Sequence, residues 1–282
     1  MALPVYKFMS GEDYHLDALR DNQVYFSSVE QLNDPYEGLM HYCTKNVTHS
    51  QRMAALTQRL KPDHLKIADA RKEAESFYKR HGEKLFNARM DRLCREEYKD
   101  FLEYHRAHRF VLSLSKPSSP TDSFPSPLNS MMMWAHYGKG MQGLCVEYDF
   151  NTLRESINLL NKVEITTQEV EYEPLKLPIV RATTLLDDLA MNTNQTSIEI
   201  HNAFCTKHVS WRYENEVRLI SSKHEHNNIS DKAILRVFVS AKSPDLMSDV
   251  IRILKGKEHK PELYEVITQE NEYGFGFGKV EY

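Results

Sequence analysis

The residues with the most chemical content lie in the run Lys207-x3-Trp211-x2-Glu214-x-Glu216-Val217-Arg218-Leu219-Ile220. In an extended segment side chains alternate, so Glu214, Glu216 and Arg218 project on one face while Val217 and Leu219 project on the other. A salt-bridged exposed strand accounts for that pattern, and so does a cleft. In a cleft the two carboxylates repel, one pKa rises, and Arg218 holds the other carboxylate ionised. Such a pair suits acid-base work and cation stabilisation. One carboxylate can bond a sugar 2-hydroxyl against an oxocarbenium-like transition state while its neighbour activates the incoming nucleophile.

Other groups carry weaker signals, each with a structural explanation beside it. Ser113 and Ser115 alternate with Leu112 and Leu114, so both hydroxyls face away from the apolar layer, toward solvent or toward the floor of a cleft. Trp134, His136 and Tyr137 crowd three large amphipathic side chains into four residues, either as an aromatic core cap or as a stacking platform for a nicotinamide or nucleobase. Gly138-Lys139-Gly140-Met141-Gln142-Gly143 matches GxGxxG in letters, but a helical turn precedes it and a strand follows, the reverse of a dinucleotide fingerprint. It reads as a glycine turn. His201, Cys205 and His208 would share one face of a helix, yet their spacing fits no standard zinc module, and buried packing is the simpler expectation. No metal is assigned.

These residues need elements to position them. Val5–Met9 reads as a strand, Ser10 with Asp13 as a capping box opening a helix through Arg20, and Gln23–Ser27 as a second strand. Asp34-Pro35-Tyr36-Glu37 reads as a helix start, with Asp34 as N-cap and Glu37 reaching back. Residues 51–110 change character, with one Gly, one Pro and apolar positions such as Phe86, Met90 and Leu93 at helical spacing. Strand patterns return at Arg109–Ser115, followed by a Ser/Pro-rich loop over Lys116–Pro127. Further strands are expected over Gly143–Asp149, Glu164–Glu173, Glu216–Ser221, Ile234–Val239 and Lys279–Tyr282. Helices are expected over Met131–Tyr137, Thr184–Ser210 and Met247–Leu254. Strands paired across helical excursions of uneven length predict an α+β fold, a mostly antiparallel core in one catalytic domain, 1–282, with a helical insertion over residues 51–110.

Composition narrows the class. The 282 residues carry 36 Lys and Arg against 40 Asp and Glu, a net charge of -4. The insertion holds 15 basic and 10 acidic side chains, so its net of +5 leaves -9 on the remainder. A uniformly basic nucleic-acid coat is therefore excluded, while a local basic patch is not. Four cysteines without CxxC spacing fit reduced thiols. No apolar run is long enough to span a membrane, and Met1–Ser10 lacks a signal-peptide profile, so a cytoplasmic protein is expected.

Taken jointly, the blocks carry a resemblance. Tyr6-Lys7-Phe8, Tyr25-Phe26-Ser27-Ser28, Leu32-Asn33-Asp34-Pro35-Tyr36-Glu37, Leu112-Ser113-Leu114-Ser115, Met133-Trp134-Ala135-His136-Tyr137, Gly143–Asp149 and the Lys207–Ile220 run resemble a bacterial domain family of unknown function. Its marks are NDPxE, WxHY and KxxxWxxExEVRLI. The block order is also similar, more weakly, to the ADP-ribosyltransferase superfamily, which implies a split antiparallel core around NAD as co-substrate. That resemblance implies Glu216 at the nicotinamide ribose and Glu214 at the acceptor. It also implies Ser113 and Ser115 on the strand supporting NAD, Tyr137 stacking on nicotinamide, and Tyr6 or Lys7 where the superfamily places Arg or His. Asn33, Asp34 and Glu37 have no counterpart and remain a polar turn that could meet ligand at a cleft edge. The basic helices 51–110 suggest a nucleic-acid acceptor, RNA foremost, or else a solvated helical hairpin. A toxin or anti-phage role with an antitoxin or chaperone partner is implied by resemblance alone. The alternatives are a metal-dependent nuclease using Asp34, Glu37, Glu214 and Glu216, and a non-catalytic module in which Trp134, His136 and Tyr137 recognise a ligand.

Overall fold

A computed structural model describes residues 3–117, 127–222 and 225–282, so most of the Ser/Pro-rich loop lies outside the described residues. The chain begins β1 (Pro4–Met9), α1 (Asp13–Arg20), β2 (Gln23–Ser28) and β3 (His41–Cys43), then α2 (His49–Leu60), α3 (Ile67–Ala107), β4 (Phe110–Ser115) and α4 (Met131–His136). It continues through β5 (Leu144–Asp149), α5 (Phe150–Asn161), β6 (Thr166–Glu169), β7 (Glu171–Glu173), β8 (Ile179–Arg181), α6 (Ala182–Met191) and α7 (Gln195–Ala203). The last elements are β9 (Thr206–His208), β10 (Glu216–Ser221), β11 (Glu225–Asn228), β12 (Ile234–Ser240), α8 (Pro244–Lys255), β13 (Glu262–Thr268) and β14 (Phe275–Val280). The fold is α+β with a mostly antiparallel open sheet.

Two compact units emerge, one of residues 1–34, 108–174 and 207–282, the other of residues 35–107 and 175–206. The second unit thus takes in the helical stretch 51–110 up to Ala107, together with residues 35–50 and 175–206. Its core is Leu56, Phe86, Met90, Cys94, Leu185 and Leu186 from α2, α3 and α6. Thr48 and Gln51 form a capping box that starts α2. Gly82, at φ 74°, divides α3 into two helices, because a left-handed residue cannot continue the right-handed coil.

The first unit is built on a ten-stranded sheet ordered β11-β2-β4-β1-β5-β12-β13-β14, with β10 pairing β4 and β6. Alternation gives each strand two faces. On one, Leu112, Leu114, Val146, Val217 and Leu219 pack against Leu153 and Ile157 of α5 and Val250 and Leu254 of α8. On the other, Tyr6, Phe8, Cys145 and Phe238 pack against Met133 and Trp134 of α4. Helix α8 forms where Pro244 and Asp245 open it and apolar residues recur at 246, 250, 253 and 254.

β4 carries the feature that matters for function. Along one edge it pairs with β10 for its full length, from Glu216 opposite Ser115 to Ser221 opposite Phe110. Along the other edge β1 meets it at Ser115 and β2 meets it at Val111 and Phe110. Between those contacts the two strands splay and the sheet is split.

Several local expectations are corrected. Asp34–Glu37 starts no helix: the chain makes a turn that Gly38 closes at φ 66°. The capping box lies earlier, where Gln31 accepts from the Ser28 backbone at 3.0 Å. Ser10 does not cap α1, since Gly11 at φ 79° intervenes and Glu12 takes the N-cap position. Thr184–Ser210 is α6, α7 and β9 rather than one helix, so His201, Cys205 and His208 share no helical face.

Candidate functional site

A cavity of about 700 Å3 occupies the split and lies wholly within the first unit. β1, β2 and β4 supply its walls, α1 and α4 its sides, and Lys207, Glu214 and Glu216 one end.

The carboxylates converge there by a different route from simple alternation. Glu214 ends a short 3-10 helix, Val209–Glu214, and Asn215 is left-handed at φ 43°, so extended structure begins only at Glu216. What unites the pair is Lys207, whose Nζ lies 2.8 Å from Glu214 Oε2 and 2.8 Å from Glu216 Oε2. Arg218, 1% exposed, grips Glu216 from the strand, with Nε 2.8 Å from Oε1 and Nη2 3.2 Å from Oε2. The Glu216 backbone N–H donates to the Tyr172 hydroxyl at 2.9 Å. The Tyr137 hydroxyl donates to Glu214 Oε1.

Electrostatics separates the two acids. Burial alone would raise both. Arg218 and Lys207 overcome it at Glu216 and hold that carboxyl below the usual carboxylate range. At Glu214 burial prevails over Lys207, and the charge of Glu216 adds to it, so that pKa is raised. Tyr137 is pushed up by burial and by Glu214, with Asn33 opposing. Lys7 is lowered by burial, partly offset by Glu216.

The other residues singled out from the sequence divide clearly. Tyr6, Lys7, Asn33, Ser113, Ser115, His136 and Tyr137 all line the cavity. The Lys7 ammonium donates to the Ser113 carbonyl at 3.1 Å, at the open edge of β4. His136 Nδ1 is 2.7 Å from the Tyr213 hydroxyl, on a rim that also holds Trp211. Trp134 departs from its expected role as a ligand-stacking residue. It is 1% exposed, its Nε1 donates to the Leu128 carbonyl at 2.8 Å, and its ring packs edge-on against Phe8. Asp34 and Glu37 are buried and are not among the cavity-lining residues, whereas Asn33 of the same turn lines the cavity. Among the described residues, no group of three His, Cys, Asp or Glu side chains that could hold a metal ion forms.

Lys207 is the main residue missed as a functional candidate. Its spacing of seven and nine residues from the two acids follows no helical or strand period, because a strand, a 3-10 helix and a left-handed residue intervene. His15 was also missed. It lines the cavity beside Lys7, and burial, with the Lys7 charge, lowers its pKa to about 4. The imidazole is therefore neutral near pH 7.

Residues 133–219 match a family described as a protein of unknown function, DUF2971. The matched stretch contains Tyr137, Lys207, Glu214, Glu216 and Arg218, whereas Tyr6, Lys7, Ser113 and Ser115 fall before it. No curated protein and no solved structure matches the chain. No helix among the described residues is long and apolar enough to cross a membrane.

Proposed function

We propose that the protein is an NAD-dependent ADP-ribosyltransferase. The observation that carries this reading is the pair of buried acids with opposite pKa shifts at one end of a cleft formed by a split antiparallel sheet. The bond from ribose C1′ to nicotinamide breaks with its electron pair leaving on the ring nitrogen, and cationic character develops on the ribose. Glu216 meets that charge as a carboxylate, held ionised by Arg218 and Lys207 and fixed by them in one orientation. Glu214 takes the proton from the acceptor hydroxyl as a new bond forms from the acceptor oxygen to C1′. A carboxylate whose pKa is raised toward the working pH is the stronger base for that step. Lys207 keeps the two acids side by side, and Tyr137 orients Glu214. The cleft volume and its mixture of hydroxyl, aromatic and cationic side chains fit a dinucleotide. Tyr6 and Lys7 stand where the resemblance expects Arg or His.

The acceptor in this reading is a nucleic acid, RNA foremost. The support is the cationic cluster Lys79, Arg80 and Lys84, exposed on either side of the Gly82 break.

The test is incubation with NAD labelled on the ADP-ribose moiety, together with RNA, DNA or cell extract, comparing the native chain with Glu216→Gln. Nicotinamide release and label transfer are expected from the native chain and are lost in the variant. Absence of both across all acceptors overturns the reading.

A further inference from the structure

The cleft has a second end that the two acids do not use. Strand register places Glu216 opposite Ser115, Ser27 opposite Val111, and His226 opposite Tyr25, so Glu216, Ser113, Ser115, Ser27, Tyr25 and His226 all project on one face of the sheet. β10, β4, β2 and β11 are successive neighbours. The carboxylates and the Tyr25–His226 pair are thus two to three strand spacings apart, roughly 10–15 Å across that face.

Tyr6 pairs with Ser115, so Lys7 leaves β1 from the opposite face, and its ammonium reaches the open edge of β4 at the Ser113 carbonyl. That ammonium has three protons, its bond to a protein acceptor goes to the Ser113 carbonyl, and no described carboxylate lies within ion-pair distance of it. The Tyr25 and His226 rings meet edge-on with centroids 5.4 Å apart, and both rings are exposed. Tyr14, 60% exposed on α1, lines the same cavity. Exposed aromatics that line one cavity offer π-faces to a flat ring, although Tyr14 also contacts the His15 ring at 4.2 Å between centroids.

We propose that Tyr25, His226 and Tyr14 form a nucleobase subsite, with the ligand's phosphates crossing at Lys7 and its reacting sugar at Glu216. The base subsite itself stands on the geometry of this end, and only its assignment to adenine rests on the transferase reading. An anion at Lys7 would favour the charged ammonium and so oppose the desolvation that lowers that lysine's pKa.

The experiment is calorimetric binding of ADP and of ribose 5-phosphate, which has a phosphate and no base. The native chain is expected to bind ADP at least tenfold more tightly than ribose 5-phosphate. Tyr25→Ala and His226→Ala should each reduce that advantage by about tenfold, the loss of one stacking partner. Lys7→Met should weaken both ligands by a similar factor, and rising salt should do the same on the native chain should that variant not fold. Equal affinity for the two ligands, no binding of ADP, or an ADP preference untouched by both aromatic substitutions overturns the subsite. Neither ligand contains the nicotinamide bond. If ADP binds in this way while NAD is neither cleaved nor transferred, the subsite stands and the transferase reading falls. If NAD is cleaved but ADP ignores Tyr25 and His226, the reverse holds.

Discussion

At the scale of single residues the site is a set of buried charges whose value depends on their partners. Arg218 and Glu216 are 1% and 3% exposed, and removing one member of such a pair strands the other in a low-dielectric interior. Arg218→Met is expected to cost about 3–5 kcal/mol in urea unfolding. Glu216→Gln, which keeps the shape but removes the counter-charge of the buried Arg218 and Lys207, should also lower stability, and nicotinamide release should fall by about 10²–10³-fold in the variant fraction that stays folded. Acid stability separates two groups. The unfolded chain protonates His15 near pH 6.5 and the folded chain only near 4, so stability falls as pH drops through that window. Glu216 titrates below its unfolded value of 4.5 when folded, so its contribution is present above 4.5 and is lost as pH falls below it. Denaturation curves at stepped pH should show His15→Gln flattening the upper window, with the loss below pH 4.5 retained.

At the scale of elements, the split edge of β4 depends on how closely β1 and β5 run together. Gly143 leads into β5 where a Cβ would sit 2.1 Å from the Met9 carbonyl oxygen. Gly143→Ala must push the two strands apart, and a stability loss of about 1–3 kcal/mol is expected, read as a lowered urea midpoint. The same elements show what periodicity reveals and what it misses. Leu112-Ser113-Leu114-Ser115 announced its strand and its two faces because alternation is a property of one strand by itself. Helix α5 has Leu153 and Ile157 four residues apart on one face, yet it starts directly from the end of β5, capped by Asp149 through the Thr152 N–H at 2.9 Å. No loop separates strand from helix there, so that boundary was not legible. Strand β13 was equally hidden, because its parallel pairing with β12 is a relation across a helical crossover.

At the scale of the whole molecule, the net charge of -4 conceals an uneven distribution. If the acceptor is RNA, the exposed cluster Lys79, Arg80 and Lys84 should carry part of its affinity as phosphate contacts. Changing all three to Glu is expected to weaken RNA binding and to make the log-log salt slope shallower by about 2–3, measured by fluorescence anisotropy. Nicotinamide release in the absence of RNA should be unchanged, since these residues lie outside the cleft-lining set.

The sequence by itself determined the α+β class, the apolar and polar faces of its main strands, and the presence of two carboxylates and an arginine close together in the chain. Those are short-range facts, fixed by the period of a helix or a strand. Only the tertiary structure decided that Lys207 joins the two acids, that Trp134 belongs to the core, that Asn33 of the NDPxE turn lines the cleft while Asp34 and Glu37 are buried, and that the β4 edge stays open between β1 and β2. Each of these is set by residues far apart in sequence competing for the same space and the same counter-charge, and a one-dimensional pattern records no such competition.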